Sequence, residues 1–397
     1  MLELEEAQAR ILQGVTPLGA ERVALDLAVG RVLAEELVSA VDLPAFDHSA
    51  MDGYAVRVAD GVGERDVVGE SRAGGELPAL PPGAAMRIFT GARVPAGADA
   101  VIMQEDAART GDRVSFGKAP RAGQNLRRRG EDLARGAVAI AAGTRLRPTH
   151  LPLLAALERV RPAVVQRPLV GLLATGDELR EPGEPPRPGS IVETNAPALA
   201  AMVREAGGEP LLLPIVRDEP GALRAAIGAA LDRVDVLMTI GGVSVGDHDL
   251  VKPTLVEAGV AIDFWKVAIK PGKPLAFGRR GAATVLGLPG NPVSALVTFV
   301  LFAAPLLRAL SGDKAPLPRR WTVRLGRALT HAPGRTELVR ARLVHGPSGV
   351  VAEPVVSQAS GSVVSIAGAD ALLIVPKDVA VLDVGAEVEA LPLGPDA

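Results

Sequence analysis

Residues Val234–Asp249, VDVLMTIGGVSVGDHD, set an apolar run against a polar turn. Val236–Ile240 has the length and composition of a buried strand. It stops at Gly241-Gly242, and Ser244, Gly246, Asp247, His248 and Asp249 follow. Paired glycines let the backbone turn tightly and approach a ligand with no Cβ in the way. The N–H groups that such a turn frees can cradle an anion. Asp247 and Asp249 would repel a phosphate held there unless a hard cation sat between them, which points to Mg2+ with a phosphorylated ligand. An ordinary glycine turn with solvated acids uses the same residues, so the neighbouring segments have to decide between the two.

Between Arg167 and Leu310, apolar strands alternate with helices at the spacing of βα units. Leu169–Thr175 runs into Gly176-Asp177-Glu178, Leu211–Val216 into Arg217-Asp218-Glu219, and Thr284–Leu288 into Pro289-Gly290-Asn291-Pro292. Helices are expected over Asn195–Ala206, capped by Thr194 or Asn195, over Pro220 to about Leu231, and after Asn291, which would cap a helix with Pro292 at its first position. This pattern predicts a doubly wound, mostly parallel α/β domain. The carboxyl ends of its strands would line a ligand crevice. Glu178, Asp218, Asp247 and Asp249 should meet there with the lysines of WKVAIKPGKP, namely Lys266, Lys270 and Lys273. The competing reading scatters them over unrelated loops.

The flanking segments differ in character. Leu2–Gln13 has helical spacing, and MLELEEAQAR is acidic and not a signal peptide. Asp42–Val56, DLPAFDHSAMDGYAV, is too polar for core or helix and reads as a structured loop. Within it Asp47 and Ser49 suit local turn bonds, whereas Asp52 before Gly53 is the better functional candidate. From Val67 to Ala141, short strands broken by Gly and Pro suggest a β-rich module inserted between two helical pieces, Leu2–Gln13 and Pro148–Val160. It carries Thr90-Gly91 and QNLRRRGED, Gln124–Asp132. Arginines flanked by acids either grip an anion bidentately or form a solvated, self-paired surface. Leu317–Ala397 is all-β in pattern and suggests a small barrel, with Pro333-Gly334-Arg335 and Ser360-Gly361-Ser362 as polar turns. The partition expected is a discontinuous helical linker domain (1–26 and 137–165), a β-rich domain (27–136), an α/β domain (166–312) and a barrel (313–397).

Composition narrows the class. A chain of 397 residues that is 48% apolar can bury sizeable cores, and its 44 Gly and 33 Pro favour many short strands. A net charge of -3 argues against a general nucleic-acid binder or a basic membrane-surface protein. The absence of cysteine means no protein thiolate for a soft metal and fits a cytoplasmic protein. The five histidines are scattered, so no zinc site is expected. Val293–Leu310 is apolar but broken by Ser294, Thr298, Pro305 and Arg308, and reads as a buried helix rather than a membrane span.

FDHSAMDGYAV, TGARVP, GQNLRRRGED, TGDEL, GGVSVGDHD, FWKVAIKPGKP and GLPGNPVSA occur in this order between Phe46 and Ala295. Together they resemble the molybdopterin molybdenumtransferases, the gephyrin E-domain-like family that places molybdate on the pterin dithiolene of molybdenum cofactor. The resemblance implies four domains, the third similar to freestanding molybdopterin adenylyltransferases, and a homodimer. It implies adenylylated molybdopterin and molybdate as substrates, release of AMP, and Mg2+ as cofactor. It also admits an adenylyltransferase as a partner.

By the same resemblance, Glu178, Asp218 and Asp249 serve Mg2+ and the nucleotide phosphates near Gly241, Gly242 and Ser244. Asp52, Thr90, Arg127 and Asp132 come from the β-rich module, across the dimer cleft. Lys266, Lys270 and Lys273 bind phosphate or molybdate, and Ser294, Arg335 and Ser362 complete an oxyanion pocket. One departure stands out: the family often has Gly-Ser-His in its last domain, and here Val363 follows Ser362. The rival readings are an adenylyltransferase, which lacks the inserted module, and a non-catalytic scaffold like the receptor-clustering relative.

Overall fold

The computed structural model describes residues 1–74, 78–243, 250–346 and 349–394. The chain forms two compact units, Glu35–Ala142 with Thr149–Val160, and Met1–Ala34 with Gly143–Pro148 and Arg161–Ala397.

The first of these is built on a six-stranded mixed sheet in the order Ala100–Met103, Gly53–Val56, Ala84–Ile88, Gly63–Ser71, Arg113–Phe116, Ala107–Thr110. Alternate residues face opposite sides, so Tyr54, Val56 and Ile102 join one cluster and Ala55, Met86 and Val101 another. The loop expected over Asp42–Val56 therefore ends early. GYAV is a fully buried strand between two partners, because its side chains enter apolar clusters on both faces of the sheet.

The second unit holds the α/β sheet: Leu169–Ala174 (β1), Glu209–Leu212 (β2), Val236–Ile240 (β3), Ala261–Lys266 (β4), Pro274–Arg280 (β5) and Ala283–Leu288 (β6). Its order is β2-β1-β3-β6-β5-β4; the first four are parallel, and β5 runs antiparallel to both its neighbours, so β4 again runs with the first four. Helices Asn195–Glu205 (α1), Pro220–Leu231 (α2), Val251–Glu257 (α3) and Pro292–Thr298 (α4) cover it. Both faces are buried: Leu172, Met238 and Leu286 pack on the α1 and α4 side, and Leu173, Leu237 and Val285 on the α2 and α3 side.

α4 continues through a π-helical turn, Phe299–Ala303, into the helix Ala304–Leu310. By length and composition Pro292–Leu310 could cross a membrane, but 72% of it is buried inside the protein. The π-turn disturbs the carbonyl ladder, and the buried Gln8 of the helix Leu4–Leu12 donates to Leu301 O at 2.9 Å.

Trp321–Leu325 (β7), Thr336–Gly346 (β8), Gly349–Pro354 (β9), Ala371–Val375 (β10) and Glu387–Pro392 (β11) close into a five-stranded barrel in the order β8-β9-β7-β11-β10-β8. Val339, Ala341, Leu373 and Val388 fill it, while Leu338, Leu372, Ile374 and Leu391 point out into the core shared with the α/β sheet. The expected strand WKVAIKPGKP is split. β4 ends at Lys266, and Ile269–Lys270 crosses to the barrel, where it pairs in parallel with Thr336–Glu337.

Three further expectations are corrected. β2 occupies Glu209–Leu212 rather than Leu211–Val216, whose end keeps only an isolated parallel bridge, Thr175 to Val216. Neither Thr194 nor Asn195 caps α1. The buried Glu193 carboxylate does so, accepting from Asn195 N at 2.9 Å and Ala196 N at 3.0 Å. Nor does the Asn291 side chain cap α4; it donates instead to Ser360 Oγ at 3.1 Å.

Candidate functional site

Four strand ends of the α/β sheet come together through their turns. Beyond β1, Thr175 Oγ1 donates to Asp218 Oδ1 at 2.6 Å, which ties the TGDE turn to VRDE. The Glu178 carboxylate folds back over Gly176, where a Cβ would lie 2.7 Å from Glu178 Oε2. Beyond β3, Gly241 and Gly242 have φ of +90° and +63°. A Cβ on Gly242 would stand 2.3 Å from Val251 Cγ2, and one on Gly241 3.0 Å from Thr175 O. Both positions therefore need glycine for conformation and for space. Beyond β6, Gly290 sits over Gly241, its Cβ position 3.5 Å from Gly241 Cα, and Asn195 Nδ2 donates to Gly290 O at 2.8 Å. Ser244, Asp247 and Asp249 lie outside the described residues.

The lysines form a second cluster. Lys266 pairs in register with Pro274, and Val267 N donates to Lys273 O at 3.0 Å, so the loop brings Lys266 and Lys273 together. Lys270 Nζ lies 2.9 Å from Glu337 Oε1, and Glu337 Oε2 lies 2.6 Å from His331 Nδ1. Arg335 Nη1 points to Ile269 O at 3.4 Å. Gly272, φ +108°, abuts Thr298, where an added Cβ would meet Thr298 Cγ2 at 2.7 Å. Thr298 Oγ1 donates to Ser294 O at 2.8 Å, one turn nearer the start of α4. At that start, Val293 N donates to Ser360 O at 3.1 Å. Ser362, two residues on, caps the short helix Val363–Ala367 (α5) by accepting from Ser365 N at 3.3 Å. Lys270, Arg335, Ser294 and the Ser360–Ser362 turn thus surround the junction of α4 with the barrel edge.

Several participants were hidden in the sequence. Glu337 and Arg340 sit in a strand, on opposite faces of it, and both are buried. Burial opposes ionisation of Glu337, but the bonds from Lys270 and His331 outweigh it and hold the carboxyl below the usual range. Ser360, rather than Ser362, carries the contact with α4.

In the other compact unit, Asp52 Oδ1 accepts from Thr90 N at 2.7 Å and Thr90 Oγ1 at 2.8 Å. These bonds, the backbone one first, hold its carboxyl below the ordinary aspartate value. Gly53 is obligatory, since a Cβ would fall 2.0 Å from Ile102 O. Arg127 pairs with Asp132 and, at 3.3 Å, with Glu131. Arg128 reaches Asp47 and Arg129 reaches Asp42, each at 2.7 Å, so only Arg127 is paired within the run and the other two are tied to the Asp42–Asp47 stretch. Ser49 Oγ donates to Met51 O, a local turn bond as expected. Leu126-Arg127 pairs with His48-Ser49, and Gly91 N donates to Ser49 O at 2.8 Å. Asp52, Thr90, Arg127 and Asp132 therefore gather round one loop.

Among the described residues no three His, Asp or Glu side chains converge as a metal cage. Glu178 and Asp218 nevertheless supply hard oxygen donors beside the Gly241-Gly242 cradle. That donor set fits Mg2+, which keeps several waters and takes one or two carboxylates plus substrate phosphates.

Family models match the chain in three successive blocks: the MoeA N-terminal region (domain I and II) over residues 2–157, a probable molybdopterin binding domain over 171–309, and the MoeA C-terminal region (domain IV) over 322–393. The fold and these blocks define a multidomain protein of molybdenum cofactor biosynthesis, with an α/β molybdopterin-binding domain and a terminal barrel. Two curated molybdopterin molybdenumtransferases are similar. That of Haemophilus influenzae is 42% identical over 79% of each chain, and that of Nostoc 37% identical over 94% of this chain and 88% of the relative. A crystal structure of a molybdopterin biosynthesis MoeA protein from Pyrococcus horikoshii superposes with TM-score 0.86 at 31% identity, covering 99% of this chain and 100% of that one. The chain belongs to the molybdopterin molybdenumtransferase family. The adenylyltransferase and scaffold readings are not favoured, since the likeness to molybdenumtransferases extends through all three blocks.

Proposed function

We propose that this transferase inserts molybdate into adenylylated molybdopterin and releases AMP in a Mg2+-dependent step. The observation that carries this is the convergence of Thr175, Asp218, Glu178 and the Gly241-Gly242 cradle at one sheet rim. Glu178, Asp218 and Asp249 would hold Mg2+, which neutralises phosphate charge and polarises the bond that breaks. Thr175 fixes one Asp218 oxygen and leaves the other for the cation. Gly241, Gly242 and Ser244 present backbone and hydroxyl donors to the phosphates. Lys266, Lys270 and Lys273 bind the anions as point charges, and Ser294, Arg335 and the turn bearing Ser362 complete the oxyanion pocket. Asp52, with Thr90, Arg127 and Asp132, acts from the β-rich unit of the partner in a homodimer. The sulfur ligands of molybdenum come from the substrate, in keeping with a chain without cysteine. Catalysis rests on positioning and electrostatics rather than a covalent protein intermediate. The same reading carries the four-domain division, with boundaries near 26, 136, 165 and 312, and a cytoplasmic location.

The test is to incubate the purified protein with adenylylated molybdopterin, Mg2+ and molybdate, and to follow AMP and metal-loaded cofactor together. Stoichiometric appearance of both is expected. Adenylylation of molybdopterin from ATP without molybdate would move the assignment to the rival transferase.

A further inference from the structure

The barrel carries a cavity of about 590 Å3 beside the Val355–Ser362 turn. Arg327, Arg342, Glu353, Ser357, Ser362 and Val364 are among its lining residues. Arg342 and Glu353 face each other across β8 and β9. Among the described residues neither Arg327 nor Arg342 has a carboxylate partner within 4.0 Å; their bonds go to carbonyls, Arg342 Nε to Gly368 O at 3.1 Å and Arg327 Nη2 to Pro354 O at 3.5 Å. Two forked cations against one carboxylate leave a net positive charge, and each keeps donors for an incoming anion.

One wall of this cavity is pinned. Arg340, 0% exposed, sends Nη2 to Ser357 O and Ala359 O at 3.1 and 3.2 Å. Gln358 closes on Arg340 N and O and on Val355 O, at 3.0–3.1 Å. The wall is therefore preformed, as a binding site requires. The mouth is apolar: Val356 and Val364 are 92% and 80% exposed.

We propose that this cavity is a second binding site, for a small molecule bearing a phosphate or carboxylate on an apolar body. The head would lie between Arg327 and Arg342 and the body against Val355, Val356 and Val364. The site adjoins the pocket of the substrate reading above, since Ser362 lines both, but its arginines and valines take no part in that reading.

Calorimetric titration of the full chain with phenyl phosphate, benzoate and inorganic phosphate tests it. One saturable binding event per chain that survives Lys270→Gln is expected for phenyl phosphate or benzoate, and the stronger of the two identifies the head group. Inorganic phosphate, lacking the body, should bind more weakly. Arg327→Gln and Arg342→Gln should each weaken binding about tenfold, Glu353→Gln should tighten it, and Lys270→Gln should leave it unchanged. Val364→Glu, at an exposed position that tolerates substitution, should abolish it. Absence of saturable binding, unaltered affinity in the arginine variants or in Val364→Glu, or loss in Lys270→Gln would each overturn the assignment.

Discussion

Glu337 bridges Lys270 and His331, with one carboxylate oxygen 2.9 Å from Lys270 Nζ and the other 2.6 Å from His331 Nδ1. The bridge joins a loop of the α/β sheet to the barrel wall. It also decides how free Lys270 is to meet an anion.

A carboxyl depressed on folding stabilises the native state above its unfolded pKa, and that stability is lost as pH falls through the folded value. Glu337 is such a group, burial opposing and the Lys270 and His331 bonds favouring its charge. Wild-type stability should decline below about pH 4.3 more steeply than that of Glu337→Gln. Urea unfolding at stepped acid pH compares the two slopes, and equal slopes would remove Glu337 from the acid response.

Glu193 should behave in the opposite sense. Burial pushes its carboxyl up, only partly offset by the N–H groups of Ala196 and Asn195. Its contribution is complete below the unfolded pKa, about 4.3, and is lost as pH rises through the folded value. Glu193→Gln should therefore lose less stability than wild type between acid and neutral pH. The readout is the same denaturation series carried upward, and a steeper loss in the variant would contradict the sign.

At the sheet rim, Asp218→Asn removes one of the proposed cation ligands while Thr175 Oγ1 keeps its bond to the side-chain oxygen. AMP release should fall by about 100-fold or more, with the thermal midpoint little changed. Asp249→Asn should abolish release as well. Normal turnover in either variant would take that residue out of the site.

Lys270→Gln should raise KM for molybdate by about tenfold and alter kcat less, as loss of a point charge on a bound anion predicts. Steady-state assays at varied molybdate separate the two; an isolated fall in kcat would give Lys270 another role.

Gly53→Ala forces a Cβ to within 2.0 Å of Ile102 O in a buried central strand. Backbone has to move, so a loss of about 3 kcal/mol or more is expected. Chemical denaturation measures it, and a loss below about 1 kcal/mol would mean that the sheet relaxes freely.

The α/β core was legible because strands buried on both faces are uninterrupted apolar runs, and Val236–Ile240 needs no partner to be recognised. Its glycine and acidic turns were legible for the same reason: they interrupt those runs. β2 was misplaced because Glu209 and Pro210 head it, and a strand at the sheet edge tolerates both. Glu337 and Arg340 were missed because a strand's charges are counted as solvated until another layer covers them. Asn291 has the composition of a helix cap, yet its amide serves Ser360 instead. That choice depends on a turn some 70 residues away, which no local pattern encodes.

Ile269 and Lys270 belong covalently to the linkage between β4 and β5, but their hydrogen bonds make them an outer strand of the barrel. The barrel thus works as a splint on that lysine. A fragment trimmed to the α/β layers alone would keep Lys270 and lose what sets it in place, so poor oxyanion capture by such a fragment would report a missing brace rather than a wrong ligand.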